Sequence, residues 1–390
     1  MTLHVRRSTL PVVACLAVGF AGTGVASAVP AAAPGYTTQC PAPERLVSGT
    51  DWSRHRLAPG VVLQEGQHRD PKGVVRMHVL RVDVTNTHLA LGPVMGKVAA
   101  RHRLSALARQ QRRLVAATNA GYFDYRTGAP LGPVVVKSSP VLAADTPTWA
   151  VGLSAAGRMQ AGRMKLTGTV TADDVPQPLA GFNVAVPAQG ITAYTPKWGD
   201  ARVPLPSGAV SRYVAKGAIA SGTGQFTAPP KTGALLVARG SSAVSWLRSL
   251  QRNVPVQVRP KVASTAPAAF RLAYAVGAPI VAPGGKALLG LSCRKSYPQP
   301  ARTGIGFSAD GRQMILVVVD DHLGTSVHGL DSVQLARVMA DLGADQAYLL
   351  DGGGSTEMLA KLPSHGWSMR NHPADGVERP VPVGVGIYRR

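Results

Sequence analysis

Hydrophobic and polar positions change their rhythm twice along this chain. From Val61-Val62-Leu63 through His78-Val79-Leu80-Arg81-Val82-Asp83-Val84 they alternate, which predicts strands half-buried on one face. Leu104 to Leu114 has helical spacing, Val115 to Asn119 returns to strand, and Val134 to Lys137 follows a Gly-Pro turn as another strand. Between about 150 and 300 many short apolar runs are separated by Gly and Pro with almost no helical periodicity, so a β-rich middle is expected. Gln313 to Val319 is then a continuous apolar run that stops at Asp320. Ser332 to Leu342 shows helix spacing, with Asp331 placed to cap its start and Gly343 to end it. A second apolar run, Ala347 to Leu350, stops at Asp351. Strand, helix, strand over this length predicts a βαβ unit with two parallel strands. The expected fold is α/β (α+β): a mixed β-sheet core, a C-terminal βαβ unit and a β-rich middle.

The ends of the chain divide differently. Residues 1–28 read as a signal peptide: Arg6 and Arg7 form the positive start, Leu10 to Ala26 the apolar stretch, and Ala26-Ser27-Ala28 the small-residue cleavage pattern. The paired arginines leave Sec and twin-arginine export both open. No later run is apolar enough to span a membrane, so a secreted or cell-wall-associated protein is expected. Residues 29–59, rich in Pro, Ala and Thr toward their start, suggest an extended arm, and residues 60–390 a folded region of one large or two medium domains. Cleavage would leave Cys40 and Cys293 in an oxidising compartment, where one disulfide tying the arm to the body is expected.

Charge narrows the partners. The precursor carries +22, and loss of Arg6 and Arg7 leaves +20, which favours anionic polymers such as cell-wall phosphates or acidic glycans. The basic clusters at Arg101-His102-Arg103 and Arg109 to Arg113 are not interleaved with aromatic residues, so a nucleic-acid platform is unsupported.

The chemistry concentrates where the two late strands end. Parallel strands of a βαβ unit finish on one sheet edge, so Asp320 and Asp351 should open onto one crevice, about 5–10 Å apart if the strands are neighbours. Asp351 leads into Gly352-Gly353-Gly354-Ser355-Thr356, whose backbone can approach a ligand closely and cradle an anion. Arg302, ahead of the Gly-punctuated strand Thr303 to Phe307, offers a planar fork to a phosphate. Asn119 stands at a strand end as the two aspartates do. His322 and His328 read as exposed loop histidines, though either beside Asp320 and Asp321 is a metal-ligand type.

These pieces together resemble the phosphodiester glycosidases, the family of the lysosomal uncovering enzyme and of many exported bacterial proteins. The resemblance runs over roughly residues 60–388. It is carried by Asn119-Ala-Gly-Tyr-Phe, Gly128 to Gly132, Phe182-Asn183, Gly277 to Val281, Arg302 to Gly306, Leu316 to Asp320, Glu378-Arg379-Pro380-Val381 and, most sharply, Leu350-Asp-Gly-Gly-Gly-Ser-Thr356. It implies hydrolysis of the bond between a sugar's anomeric carbon and a phosphodiester oxygen, with a sugar-1-phosphodiester or phosphorylated glycan as partner. No organic cofactor is implied, and a divalent metal is left open. Asp351 and Asp320 would serve as nucleophile or base, Arg302 and the glycine loop would hold phosphate, and Asn119 would orient sugar hydroxyls or phosphate. Two positions depart from the family. Asp320-Asp321-His322 stands where relatives often read Asp-Gly-Arg, and Glu357, a third acid, stands where a small or hydroxyl residue is more usual. Two other readings remain: a metal-assisted phosphodiesterase cutting P–O through Asp320, Asp321 and His322, and a non-catalytic binder of anionic wall polymer.

Overall fold

A computed structural model describes residues 45–288, 299–321, 325–362 and 365–390, with two backbone strands, Tyr36–Thr37 and Cys293–Arg294, paired antiparallel. The proposed signal peptide, Cys40, the Cys293 side chain and His322 lie outside the described residues. No helix among the described residues is long and apolar enough to cross a membrane.

Strands make up 47% of the described residues and helices 8%, so the mixture of α and β is heavily weighted to β. One eight-stranded sheet forms the centre. Its strands lie in the order Asp51–Ala58, Val61–Asp70, Gly73–Asp83, Gln313–Val319, Arg302–Phe307, Gln346–Leu349, Pro279–Ala282, Lys286–Ala287. Every neighbouring pair in it is antiparallel. The strand–helix–strand succession is present, but the parallel neighbour pair expected from it is not. Arg302–Phe307 lies between Gln313–Val319 and Gln346–Leu349 and runs opposite to both. The reason is local. Asp310-Gly311 makes a tight turn, with Gly311 at φ +66°, so Gln313–Val319 folds back beside Arg302–Phe307 and the chain returning from the helix must land beyond it. The two strands still point the same way, but their ends are two strand spacings apart, about 10 Å.

The continuous apolar runs are explained by burial on both faces. Along Gln313–Val319, Ile315, Val317 and Val319 face one side with Val75, Met77 and Val79, and there the helix Ser332–Asp341 covers them with Leu335, Val338 and Met339. Met314, Leu316 and Val318 face the other side with Leu63, Leu80 and Val82. That side packs on a five-stranded sheet through Met358, Ala360, Val385 and Ile387. The period of two is therefore intact, hidden because both sides are dry. The helix is fixed as the sequence indicates: Asp331 Oδ1 accepts from the amides of Val333 and Gln334, Gln334 Oε1 accepts from the Asp331 amide, and Gly343 at φ +88° ends it.

The five-stranded sheet has the order Gly366–Met369, Met358–Leu362, Leu114–Asn119, Val383–Arg389, Leu89–Met95, with the short helix Leu104–Arg109 on its outer face. The middle of the chain builds a third, thirteen-stranded sheet. It holds the parallel pair Val175–Phe182 with Gly190–Tyr194, and a helix at Ser241–Ser249 that its short apolar spacing did not announce. Regular structure also begins earlier than Gly60, because Asp51–Ala58 already pairs with Val61–Asp70. This strand is mostly exposed and carries Arg54-His55-Arg56, so it has no apolar alternation to read.

Candidate active site

After Gln346–Leu349 the chain crosses from the edge of one sheet to the edge of the other. Leu350 N donates to Thr303 O of the central sheet at 2.9 Å, and Asp351 N donates to Ala120 O, beside the five-stranded sheet, at 3.0 Å. The loop then turns on itself: Gly353 N donates to Ala301 O at 2.8 Å and Thr356 N to Gly353 O at 3.0 Å, with Gly353 at φ +58°. Two of the three glycines are needed for different reasons. Gly353 supplies the left-handed turn, with open space around it, whereas a Cβ at Gly354 would run into Asp375 Oδ2 and Arg379 Nη2. Gly354→Ala should therefore displace the Asp375–Arg379 pair. A variant that keeps wild-type thermal stability while losing affinity for inorganic phosphate is expected, with both read by a melting curve at increasing phosphate.

Asp351 is half-buried at this junction, and its Oδ1 accepts from Gly352 N at 3.0 Å. Burial raises its carboxyl above the usual carboxylate value. The Ser355 hydroxyl, directed at it without a fully formed hydrogen bond, the Gly352 amide and the Arg379 charge pull the other way. Tyr122 stands close by: burial and the Asp351 charge push its phenol up, while Arg302 pulls it down. Arg302 is anchored by Nε donating to Leu330 O at 3.0 Å. Arg379 Nε and Nη2 donate to Asp375 Oδ2 at 2.9 and 2.6 Å, and its Nη1 donates to Tyr125 OH at 3.0 Å. One carboxylate thus stands among two guanidinium groups, a phenol and a glycine loop.

Asp320 has a different setting. It finishes the strand that ends on the same sheet edge as Asp351, but it is 2% exposed and closed over by other groups. His372 N donates to its Oδ1 at 3.1 Å, and His78 Nε2 lies 3.5 Å from its Oδ2. The expectation that both aspartates open onto one crevice, as a pair of neighbouring carboxylates, is corrected by the strand between them and by this burial. His78 Nδ1 lies 2.9 Å from Glu65 Oε1, and Arg370 donates to both Glu65 oxygens at 3.1 and 2.6 Å. Burial works against charge on His78, but the hydrogen bonds and charges of Asp320 and Glu65 hold its imidazole above the usual value. Burial likewise opposes charge on Glu65, yet hydrogen bonds from His78 and Arg370 bring its carboxyl down to about 2.

These opposite shifts set a pH window. Glu65 contributes stability that is complete above its ordinary 4.5 and is lost as pH falls to about 2. His78 contributes stability that is complete below 6.5 and lost as pH rises through its raised value. Unfolding by urea should therefore show a loss of about 2–3 kcal/mol on acidification through the Glu65 range, discounted for the solvent that reaches the group. Glu65→Gln should flatten that part of the profile, and an unchanged slope would rule the network out as its source.

Asn119 is buried, and the chain occupies its hydrogen-bonding positions. Nδ2 donates to Asp351 O at 2.7 Å and Ala120 O at 3.3 Å; Oδ1 accepts from Thr303 Oγ1 at 2.9 Å and Glu357 N at 3.2 Å. It ties the two sheet edges to both ends of the glycine loop and has nothing left for a ligand, so its geometry is that of a positioning residue. Ser355 and Thr356 are fully buried under the loop. Glu357 is 1% exposed, with both carboxylate oxygens buried, so it does not point to solvent. Burial, then the neighbouring Glu378 carboxylate, pushes its carboxyl well above the usual value. Glu378 in turn accepts from the Ser105 amide at 2.7 Å and from the Ser105 hydroxyl.

His328 corrects another expectation: it is fully buried, with Nε2 3.0 Å from Asp70 Oδ1. Among the described residues no cluster of three or more His, Cys, Asp or Glu side chains could hold a metal ion. Sequence reasoning singled out Asp351, Arg302 and Asn119, met Tyr122 and Arg379 only within motifs without giving either a site role, and missed the Glu65–His78–Arg370 network. The charged pair Glu378-Arg379, just ahead of a Pro and an apolar strand, was the available signal for one of them.

Comparison with known proteins gives this arrangement a context. A hypothetical protein from Synechocystis has the same fold with a TM-score of 0.71 and 22% identity, covering 87% of this chain and 64% of its own. This chain thus spans less than two thirds of that protein. A protein of Burkholderia pseudomallei K96243, described as exported, follows with a TM-score of 0.64 and 22% identity over 81% of this chain and 74% of its own. The zebrafish N-acetylglucosamine-1-phosphodiester alpha-N-acetylglucosaminidase catalytic domain, auto-inhibited by its pro-peptide, gives a TM-score of 0.45 and 15% identity over 88% and 89% of the two chains. No curated protein matches. Residues 214–388, which hold Arg302, Asp320, Asp351 to Glu357 and Arg379, match the phosphodiester glycosidase family.

Proposed function

We propose that this protein is an exported hydrolase that breaks the glycosidic C–O bond of sugar-1-phosphodiesters in cell-wall or exopolysaccharide glycans. One observation carries the reading: Asp351 is the half-exposed acid at the sheet junction and opens the glycine loop, with Arg302 beside Gly352 and the Arg379 guanidinium beside Gly354. The basic charge and the exported description of a structural neighbour support action outside the cell on an anionic substrate.

In this reading Arg302, Arg379 and the Gly352–Gly354 backbone hold the phosphate, whose negative charge grows as the bond to the anomeric carbon lengthens. The leaving group is a stable phosphate anion, so little proton donation to it is required. Asp351 stabilises the oxocarbenium-like centre, as nucleophile or as base toward water. Water ends on the sugar, and the products are a reducing sugar and a phosphomonoester. Asp320 sits in the Glu65–His78–Arg370 network and keeps the strand end and His372 in place. Asn119 fixes the loop. The protein incubated with simple alkyl esters of a panel of sugar 1-phosphates should release reducing sugar together with alkyl phosphate. Release of sugar 1-phosphate and free alcohol would overturn the reading.

A further inference from the structure

The strands that reach the candidate active site carry cations at their other ends. Leu114–Asn119 ends at Asn119, Met358–Leu362 begins beside Glu357, and Val383–Arg389 begins shortly after Arg379. Leu114–Asn119 runs antiparallel to both of the others, so Arg113, Lys361 and Arg389 come together at the opposite edge of the sheet. The length of Leu114–Asn119 puts about 17 Å between that edge and the Asn119 end.

A cavity of about 340 Å³ opens there, lined by Arg112, Arg113, Lys361 and Arg389 over the buried side chains of Leu114 and Val115. No acidic residue lines it. Among the described residues none of these four cations has a carboxylate within ion-pair distance, whereas Arg370 and Arg379 each hold one. The cations stand on a fixed backbone. Gln111 N donates to Ala108 O at 3.1 Å and Leu114 N to Gln111 O at 3.2 Å, which closes the turn that carries Arg112 and Arg113. Arg389 N donates to Arg113 O at 2.8 Å, and Arg389 Nη2 to Leu57 O at 3.1 Å. Like charges around one hollow repel, and a bound anion offsets that repulsion.

Guanidinium groups match the oxygens of a phosphate, since each can take two of them in one plane, and the lysine adds a point charge. The volume lies at the small end of ligand pockets, which suits a phosphate with one attached sugar or polyol unit. No aromatic residue lines the hollow, so a nucleobase has nothing to stack on. None of the exposed large hydrophobic side chains among the described residues belongs to it either, so it has nothing to insert into a lipid surface. We propose that this cavity is a second phosphate-binding site, which takes a phosphodiester of a sugar- or polyol-phosphate polymer and holds the protein on that polymer at a point remote from Asp351. Such binding needs no turnover, so it stands apart from the hydrolytic reading.

The test titrates a fluorescently labelled glycerol phosphate oligomer with three proteins: wild type, the triple variant Arg112→Gln, Arg113→Gln, Lys361→Gln, and the double variant Arg112→Lys, Arg113→Lys. The triple variant should bind roughly ten-fold more weakly, with a shallower dependence on salt and a melting temperature no lower than wild type. The double variant keeps the charge and loses the planar forks, so its affinity should fall between the two. Turnover of the methyl ester of a sugar 1-phosphate, where it occurs, should stay within about two-fold in the triple variant, because the sites are far apart. Unchanged affinity in the triple variant would overturn the site. Equal wild-type affinity for polyglutamate of matched charge would do the same, by showing general attraction. Tighter binding to phosphatidylglycerol vesicles than to the oligomer would overturn it in favour of a membrane surface. Should the triple variant fold poorly, Lys361→Gln alone decides, with a loss of about three-fold expected and no loss contradicting the proposal.

Discussion

Asp351→Asn is expected to lower kcat on a sugar-1-phosphodiester by about 10³–10⁴-fold, roughly 4–5.5 kcal/mol of transition-state stabilisation, while leaving the fold at least as stable as wild type. The two halves of this expectation have one cause. Burial holds the Asp351 carboxyl above its ordinary value, so its charged form is unfavourable in the folded protein. A neutral amide of the same shape removes that cost and still accepts from Gly352 N through Oδ1. Stability from a raised acid is complete below its unfolded value, 3.8, and falls as pH rises through the raised one; activity that needs the carboxylate rises over the same interval. Activity and thermal stability should thus move in opposite directions with pH on this limb, and Asp351→Asn should abolish both trends. A variant that loses activity only by unfolding would assign Asp351 to structure.

Asn119→Ala should act in the opposite sense, through the fold. It would leave Asp351 O, Thr303 Oγ1 and Glu357 N without their side-chain partner in a site that water does not reach. Each orphaned buried group costs about 1–3 kcal/mol, so a total loss of about 3–5 kcal/mol is expected after partial relaxation, with activity falling because the loop is no longer held. Asn119→Asp keeps the two acceptor contacts but turns an acid toward the Asp351 and Ala120 carbonyls, and should be destabilised as well. Urea unfolding beside a phosphate-binding assay separates the effects. A stable Asn119→Ala protein that merely lost turnover would instead mean that this side chain reaches the substrate.

Much of the candidate site is legible in the order of residues along the chain. A short apolar run that stops at an acid followed by three glycines reads as a buried strand opening into a turn, and Asp351 lies there. The helix Ser332–Asp341 declares both of its ends through Asp331 and Gly343. What periodicity cannot convey is adjacency. It gave Gln313–Val319 and Gln346–Leu349 their directions, but the hairpin through Asp310-Gly311 put Arg302–Phe307 between them, and the inferred carboxylate pair went with the inferred pairing. Glu65, His78 and Arg370 meet across 305 positions of sequence, and no local pattern records that. Asn119 was visible as a polar residue ending a strand, but that its polar atoms are consumed by the fold depends on partners at Thr303 and at Asp351 and Glu357, far along the chain.

The central claim is that the bond between the anomeric carbon and oxygen is the one that breaks, at Asp351. Hydrolysis of a sugar-1-phosphodiester in water enriched in heavy oxygen, with products analysed by mass spectrometry, tests it most directly. Label is expected in the released sugar and not in the phosphomonoester, with both products missing for Asp351→Asn. Label in the phosphomonoester would mean attack at phosphorus and would contradict the claim.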